Sequence, residues 1–182
     1  MGHDEFTWDD PVRSYIDTWQ RVIFTPRDFF ARDPSGRGLQ APIGFLVVTL
    51  LVGGLGLVVA GWGPIALPLL VVGGLFRVLV TALLVWLVAS RIFSGTGDYE
   101  ATVRVLAYAA AVSVAIFVPG VRVIAKLYGA YLAIVGLERA HRFDAVQAVL
   151  TLLLTAIAVA VLAFGLAGTS VLSPVHPAWL LR

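Results

Sequence analysis

Between residues 42 and 167 the chain carries five apolar runs, at 42–60, 65–90, 102–118, 121–137 and 145–167, separated by polar or turn-forming stretches. A helix rises 1.5 Å per residue, so about twenty helical residues cross a hydrocarbon core of about 30 Å; shorter runs would be ordinary core helices. The expected fold is an all-α membrane protein: five transmembrane helices in one bundle, preceded by amphipathic interfacial helices. The second run is long enough to tilt, or to begin with an interfacial turn around Pro68. The third and fourth are short, and Pro119-Gly120 makes a tight hinge between them. Composition agrees, with 59% hydrophobic and only 13% charged residues, where a soluble domain carries about a quarter charged.

Cysteine is absent, which excludes disulfide frameworks, zinc fingers and thiol redox motifs. The formal net charge is +2, and the basic residues are scattered between loops and spans, so nucleic acid is not an expected partner. The first forty residues hold Asp4, Glu5, Asp9, Asp10, Asp17, Asp28 and Asp33 and no short apolar core before a small-residue cleavage site. The expectation is no signal peptide, with the first apolar run acting as its own insertion signal. Three regions follow: residues 1–40 as a cytoplasmic N-terminal segment, 41–168 as the membrane domain, and 169–182 as a short external tail.

Arginine placement sets the orientation. Arg13, Arg21, Arg27, Arg32 and Arg37 precede the first run, Arg91 lies between the second and third, and Arg139 and Arg142 lie between the fourth and fifth. With five crossings all of these fall on one side, and the positive-inside rule makes that side cytoplasmic and puts the C-terminus outside a multi-pass cell-membrane protein. Trp62 and Trp179 fit an outer aromatic belt and Trp86 an inner one.

In the N-terminal segment, Asp10 is placed to cap a helix and Pro11 to open it, with Val12, Tyr15, Ile16, Trp19 and Ile23 at helical spacing. Thr25-Pro26-Arg27-Asp28 reads as a second helix start with a capping-box acid, followed by Phe29-Phe30. Two readings stand: helices in the headgroup plane that use Tyr15, Trp19, Phe29 and Phe30 as a docking surface, or a helical hairpin packed on the rest. Ala107, Ala111 and Ala115 on the third run, and Gly129 with Ala133 on the fourth, form small-residue stripes that let two helices pack closely as a hairpin.

No nucleophile elbow, phosphate loop or HExxH helix occurs. Gly95-Thr96-Gly97 lacks the rest of a dinucleotide fingerprint and reads as a turn. Glu138 and His141 share a helical face near Asp144, but a di-iron bundle needs two such pairs and further carboxylates, so a solvated loop is expected. No catalytic residue, metal or cofactor is predicted. The sharper signal is Arg77, Arg122 and Lys126 inside the runs, at similar depth and with no acid at that depth. Cations there pair, snorkel or line a cavity. The two alternatives are snorkelling to the outer headgroups and a basic pocket for an anionic headgroup, a phosphate or a partner's carboxylate. Arg104, with Glu100 four residues before and Tyr108 four after, reads as a local lock.

Several of these features recur together. They are Trp19 with Phe24-x-Pro26-x-x-Phe29-Phe30, the Gly95-x-Gly97 turn, Arg104 and Tyr108, the Pro119-Gly120 hinge, Tyr128 and Tyr131, Gly136-Leu137 and His141. In their order and spacing over residues 15–167 the chain resembles the Yip family, the Ypt/Rab-interacting membrane proteins, in their short prokaryotic form. The resemblance implies five spans, a cytoplasmic N-terminus and no catalysis, and marks Gly95, Gly97, Arg104, Tyr108, Pro119, Gly120 and Gly136 as structural positions. Eukaryotic members carry a long proline-rich extension and an Asp-Leu-Tyr-Gly-Pro signature that are missing here, so binding of a Rab GTPase is not carried over. The expected function is a non-enzymatic scaffold for proteins or lipids, an accessory subunit of a larger membrane complex or a homo-oligomer in contact with anionic membrane lipids. The alternative is a small transporter or lipid-handling protein with a basic, outward-facing pocket.

Overall fold

The computed structural model of the chain describes residues 5–31, 38–115 and 118–171, with side chains to residue 164 except at 119. Within them lie seven α-helices and no strand: α1 (Pro11–Phe24), α2 (Pro26–Phe30), α3 (Gln40–Leu57), α4 (Ala66–Ile92), α5 (Tyr99–Ala109), α6 (Arg122–His141) and α7 (Ala145–Val171). The expected arginine positions 32 and 37, and the tail with Trp179, lie outside the described residues.

The helix starts follow local chemistry. The Asp10 carboxylate accepts from the Arg13 amide at 3.2 Å, with Pro11 at the first helical position, where its missing N–H is no loss. The capping box at α2 does not form. Thr25 Oγ1 instead donates back to the Arg21 carbonyl at 3.1 Å, closing α1 and leaving α2 without a side-chain cap. Asp98 caps α5 by accepting from the Ala101 amide at 2.7 Å. After Leu57 the chain runs through a widened helical turn, Val58–Trp62, broken where Gly61 takes a φ of 92°. That left-handed conformation is open to glycine without strain.

Five crossing helices were expected; among the described residues three are long and apolar enough to cross a membrane, spanning Gln40–Trp62, Ala66–Ile92 and Ala145–Phe164. The other two fall short for different reasons. α5 has 11 residues before the chain tightens into a 3-10 turn at Ala110–Ala115. α6 is 20 residues long but carries Arg122, Lys126, Glu138 and Arg139, and each charge opposes transfer into hydrocarbon. Together they form a hairpin that leaves and rejoins the same end of the bundle, since Gly136 lies against Val105, and Gly129 against Val112, along antiparallel axes.

α5 is the axis. Residues 101–105 and 107–109 are all buried, enclosed by α3, α4 and α6. The alanine stripe divides: Ala107 packs with Leu46, Leu50 and Val78 of α3 and α4, while glycines of α6 make the close approach to α5. α1 and α2 lie across α3, the 3-10 turn and α6. They send Val22 and Phe30 into the same core as Phe45, Tyr108 and Leu132, as does Phe6 ahead of them. α4 and α7 are peripheral, with 22% and 17% of their spanning windows buried against 39% for α3. Their outward side chains, among them Phe76, Ile157 and Phe164, are apolar apart from Arg77 and Arg91 of α4.

A candidate basic cavity between α4, α5 and α6

Where α5 passes into its 3-10 turn, small residues line both sides of the seam, with Ala109 and Ala110 on one and Gly129, Ala130 and Ala133 on the other. Side chains that end at Cβ or earlier cannot fill the space between three helices, and a cavity of about 400 Å³ remains, within the range of small-ligand sites. Arg77 of α4 and Lys126 of α6 reach it from opposite walls. Thr81, one turn along from Arg77, and Ser113 of the 3-10 turn add hydroxyls. Ser113 is held in place from behind, because its carbonyl oxygen lies 2.9 Å from where a Cβ on Gly53 of α3 would sit.

Of the three cations singled out in the sequence, the structure brings Arg77 and Lys126 into one cavity, and Arg122 is not among its lining residues. Arg77 and Lys126 make no ion pair among the described residues, and both remain exposed. No aspartate or glutamate is among the residues that line the cavity. The site therefore offers positive charge and hydroxyl donors with no internal counter-charge.

Arg104 is a lock of a different kind from the one expected. Its guanidinium is 4% exposed and pairs not with Glu100 but with Glu5, at 2.7 Å, while its other terminal nitrogen donates to the Gly38 carbonyl. The partner is thus 99 residues away, and the bond ties the chain before α1 and the approach to α3 onto α5. Tyr108, one turn on, is buried with Phe29 at 4.8 Å and Phe45 at 5.2 Å between ring centroids.

Gly95, Gly97 and His141 form a third cluster. The Gly95–Gly97 turn lies on the end of α6, with a Cβ on Gly97 falling 2.5 Å from the Ala140 carbonyl oxygen and one on Gly95 falling 2.7 Å from His141 Nδ1. His141, read as part of a solvated loop, is 1% exposed. Its Nε2 lies 2.9 Å from Thr102 Oγ1, and that hydroxyl donates to the Asp98 carbonyl. With the Thr102 hydrogen so used, Nε2 is the donor and carries the proton of the neutral ring. Burial holds the imidazole below its ordinary pKa, partly offset by the Asp98 carboxylate. No group of three or more metal-ligating side chains occurs among the described residues. The remaining family-like positions differ in tightness: Gly136 is pressed on Val105, whereas Gly120, in the turn Pro119–Val121, has nothing near it.

The four aromatics expected to form a docking surface face inward instead. The Trp19 indole donates to the Ala111 carbonyl at 3.1 Å, Tyr15 packs on Phe45 at 5.2 Å, Phe29 packs on Tyr108, and Phe30 is 6% exposed. The apolar stripe that faces out is Val12, Ile16 and Phe24. An α1 of this amphipathicity has two apolar edges, and the sequence alone does not say which one meets the core.

Sequence reasoning did not pair Glu5 with Arg104 or Thr102 with His141, 99 and 39 residues apart, because no local pattern reveals contacts at that distance. Thr81 was within reach, since it stands at i+4 from Arg77 on the same face. The sequence model of one protein family, described as the Yip1 domain, matches residues 21–167. No curated protein and no solved structure matches the chain.

Proposed function

The chain belongs to the Yip1 domain family, and from that premise we propose that it is a non-enzymatic integral membrane protein that acts as a scaffold for lipids and neighbouring membrane proteins. The observation that carries this reading is the outward surface of α4 and α7. Most of each helix lies outside the core, and apart from Arg77 and Arg91 on α4 its exposed side chains are apolar, with Phe76 at 69% and Phe164 at 83%. In water such faces would be an aggregation liability, whereas in a bilayer they are the surface on which acyl chains or another subunit pack.

The three long helices cross the membrane, and the α5–α6 hairpin dips in from the Asp98 end and returns. The two chain ends therefore face opposite sides. Arg13, Arg21, Arg27, Arg91, Arg139 and Arg142 place the N-terminal side in the cytoplasm by the positive-inside rule. Partners are other subunits of a membrane complex, or a second copy of the chain, and anionic lipid; the family's name is no reason to assign a Rab GTPase here.

The test is photo-crosslinking in native membranes from positions 76 and 164, with position 22 as a buried control. Discrete protein adducts or lipid adducts at the first two positions and none at the third are expected. Release of the chain by alkaline carbonate, or crosslinks no different from those of the control, would overturn the scaffold reading. The cavity favours a second reading, a small transporter or lipid-handling protein; uptake that depends on Arg77 and Lys126 would support it.

A further inference from the structure

We propose that the cavity between α4, the 3-10 turn and α6 binds the phosphomonoester headgroup of an anionic lipid. The proposal rests on the reading of the chain as a membrane-embedded protein and names the ligand of its basic cavity.

Charge selects the ligand class. Arg77 and Lys126 place two cations on facing walls with no carboxylate among the lining residues. A phosphomonoester carries about 1.5 to 2 negative charges near neutral pH, which matches two cations, whereas a phosphodiester leaves one uncompensated. The donor set fits the same group. Arg77 offers a planar fork for two phosphate oxygens, Lys126 a point charge from the other side, and Thr81 and Ser113 hydroxyl donors for the remaining oxygen. A zwitterionic headgroup would bring an ammonium with no acid to receive it.

The surroundings of the cations select the source. On α4 the neighbours of Arg77 along the helix, Phe76 and Val80, are exposed, and on α6 so are Val123 and Leu127 beside Lys126. The basic groups thus stand between apolar lips. No lining residue comes from α7, whose buried positions among the described side chains end at Thr155. The seam between α4 and α6 therefore opens sideways, toward hydrocarbon. A free anion would have to reach the site past those lips. A lipid reaches it from within the leaflet, with its acyl chains lying against Phe76, Val80 and Leu127 while its phosphate enters the seam.

Native mass spectrometry of the full chain in mild detergent, after equilibration with phosphatidic acid, phosphatidylglycerol or phosphatidylcholine, reads the site directly. One retained phosphatidic acid is expected, with weaker retention of phosphatidylglycerol and none of phosphatidylcholine. Arg77→Gln with Lys126→Gln should lower that occupancy by about tenfold or more. Arg77→Lys should lose less, because it keeps the charge and loses only the fork. Both side chains are exposed, so the variants should fold, which an unchanged thermal midpoint would verify. Arg91→Gln, at an exposed cation away from the cavity, should change nothing. Equal retention of all three lipids, an unchanged double variant, or an equal loss in Arg91→Gln would each overturn the proposal. So would displacement by millimolar inorganic phosphate or glycerol phosphate, because the free anion would then suffice. If the lipid is not retained while the crosslinks from positions 76 and 164 persist, the headgroup assignment alone fails. If the chain leaves the membrane in carbonate, the scaffold reading fails with it.

Discussion

Gly97→Ala should be among the most damaging single-methyl additions in this chain. A Cβ at Gly97 would sit 2.5 Å from the Ala140 carbonyl oxygen and 3.0 Å from its carbon, where ordinary contact begins at 3.4 Å. The obstacle is backbone in the last turn of α6, not the flexible end of a side chain. Relief requires the turn before α5 to lift away from α6. That movement also stretches the hydrogen bond from the Thr96 amide to the His141 carbonyl, already 3.4 Å, and shifts Thr102 relative to His141. Overpacking of this kind costs about 1–3 kcal/mol, which for a chain of this size lowers the thermal midpoint by roughly 2–4 °C per kcal/mol. The expected drop is therefore roughly 2–12 °C, read as the loss of monodisperse protein on heating in detergent. Gly120→Ala adds the same methyl where nothing lies within 4 Å and should leave the midpoint within about 1 °C. Gly136→Ala would meet both methyls and the Cβ of Val105 within 3.2 Å, on a branched side chain with one favoured rotamer in a helix, and should also lower the midpoint. If Gly97→Ala and Gly120→Ala behave alike, the close packing of that turn on α6 is refuted.

The buried ion pair predicts an asymmetry: Glu5→Ala strands the Arg104 cation and should cost toward the lower end of roughly 3–5 kcal/mol, because Glu5 is 24% exposed. Arg104→Met, which removes the cation and keeps its bulk, should cost less, and the double variant should be more stable than Glu5→Ala alone by the same thermal assay. His141 makes stability pH-dependent. Its pKa is held below 6.5 in the folded chain by burial, so the unfolded chain binds more protons as the pH falls through that value. The thermal midpoint should therefore decrease from pH 7.5 to 5.5, and His141→Asn should flatten the decrease. Trp19→Phe and Tyr128→Phe each delete a donor to a backbone carbonyl, of Ala111 and Ile23 respectively. Each should cost about 1 kcal/mol and speed proteolysis of the α1–α2 segment.

What could be read from the residues alone was decided by reach. Helix starts at Asp10-Pro11, the hydrophobic lengths of α3, α4 and α7, and the hairpin at Pro119 depend on neighbours within a few positions, and they were legible. Counting along the helices grouped Arg77 and Lys126 with Arg122, whereas only the first two line the same cavity. The division into five spans was not legible. Apolarity measures transfer from water, whereas α5 is buried by other helices, and a protein-covered helix of 11 residues reads like a truncated lipid-covered one. The inward turn of Tyr15, Trp19, Phe29 and Phe30 stayed hidden because aromatic side chains suit a headgroup layer and a core equally well. Arg104 was assigned to Glu100 since an acid at i−4 is its nearest candidate. The true partner, Glu5, is set by how the first residues fold back over α3, where Phe6 closes on Gly44.

That fold-back dictates an order of assembly. The Glu5–Arg104, Trp19–Ala111 and Ile23–Tyr128 links join positions 99, 92 and 105 residues apart. The segment that carries α1 and α2 thus cannot complete these links until α6 has been made. Until then the core that Phe6, Val22 and Phe30 share with Leu132 stays open, and helices made early finish their packing late.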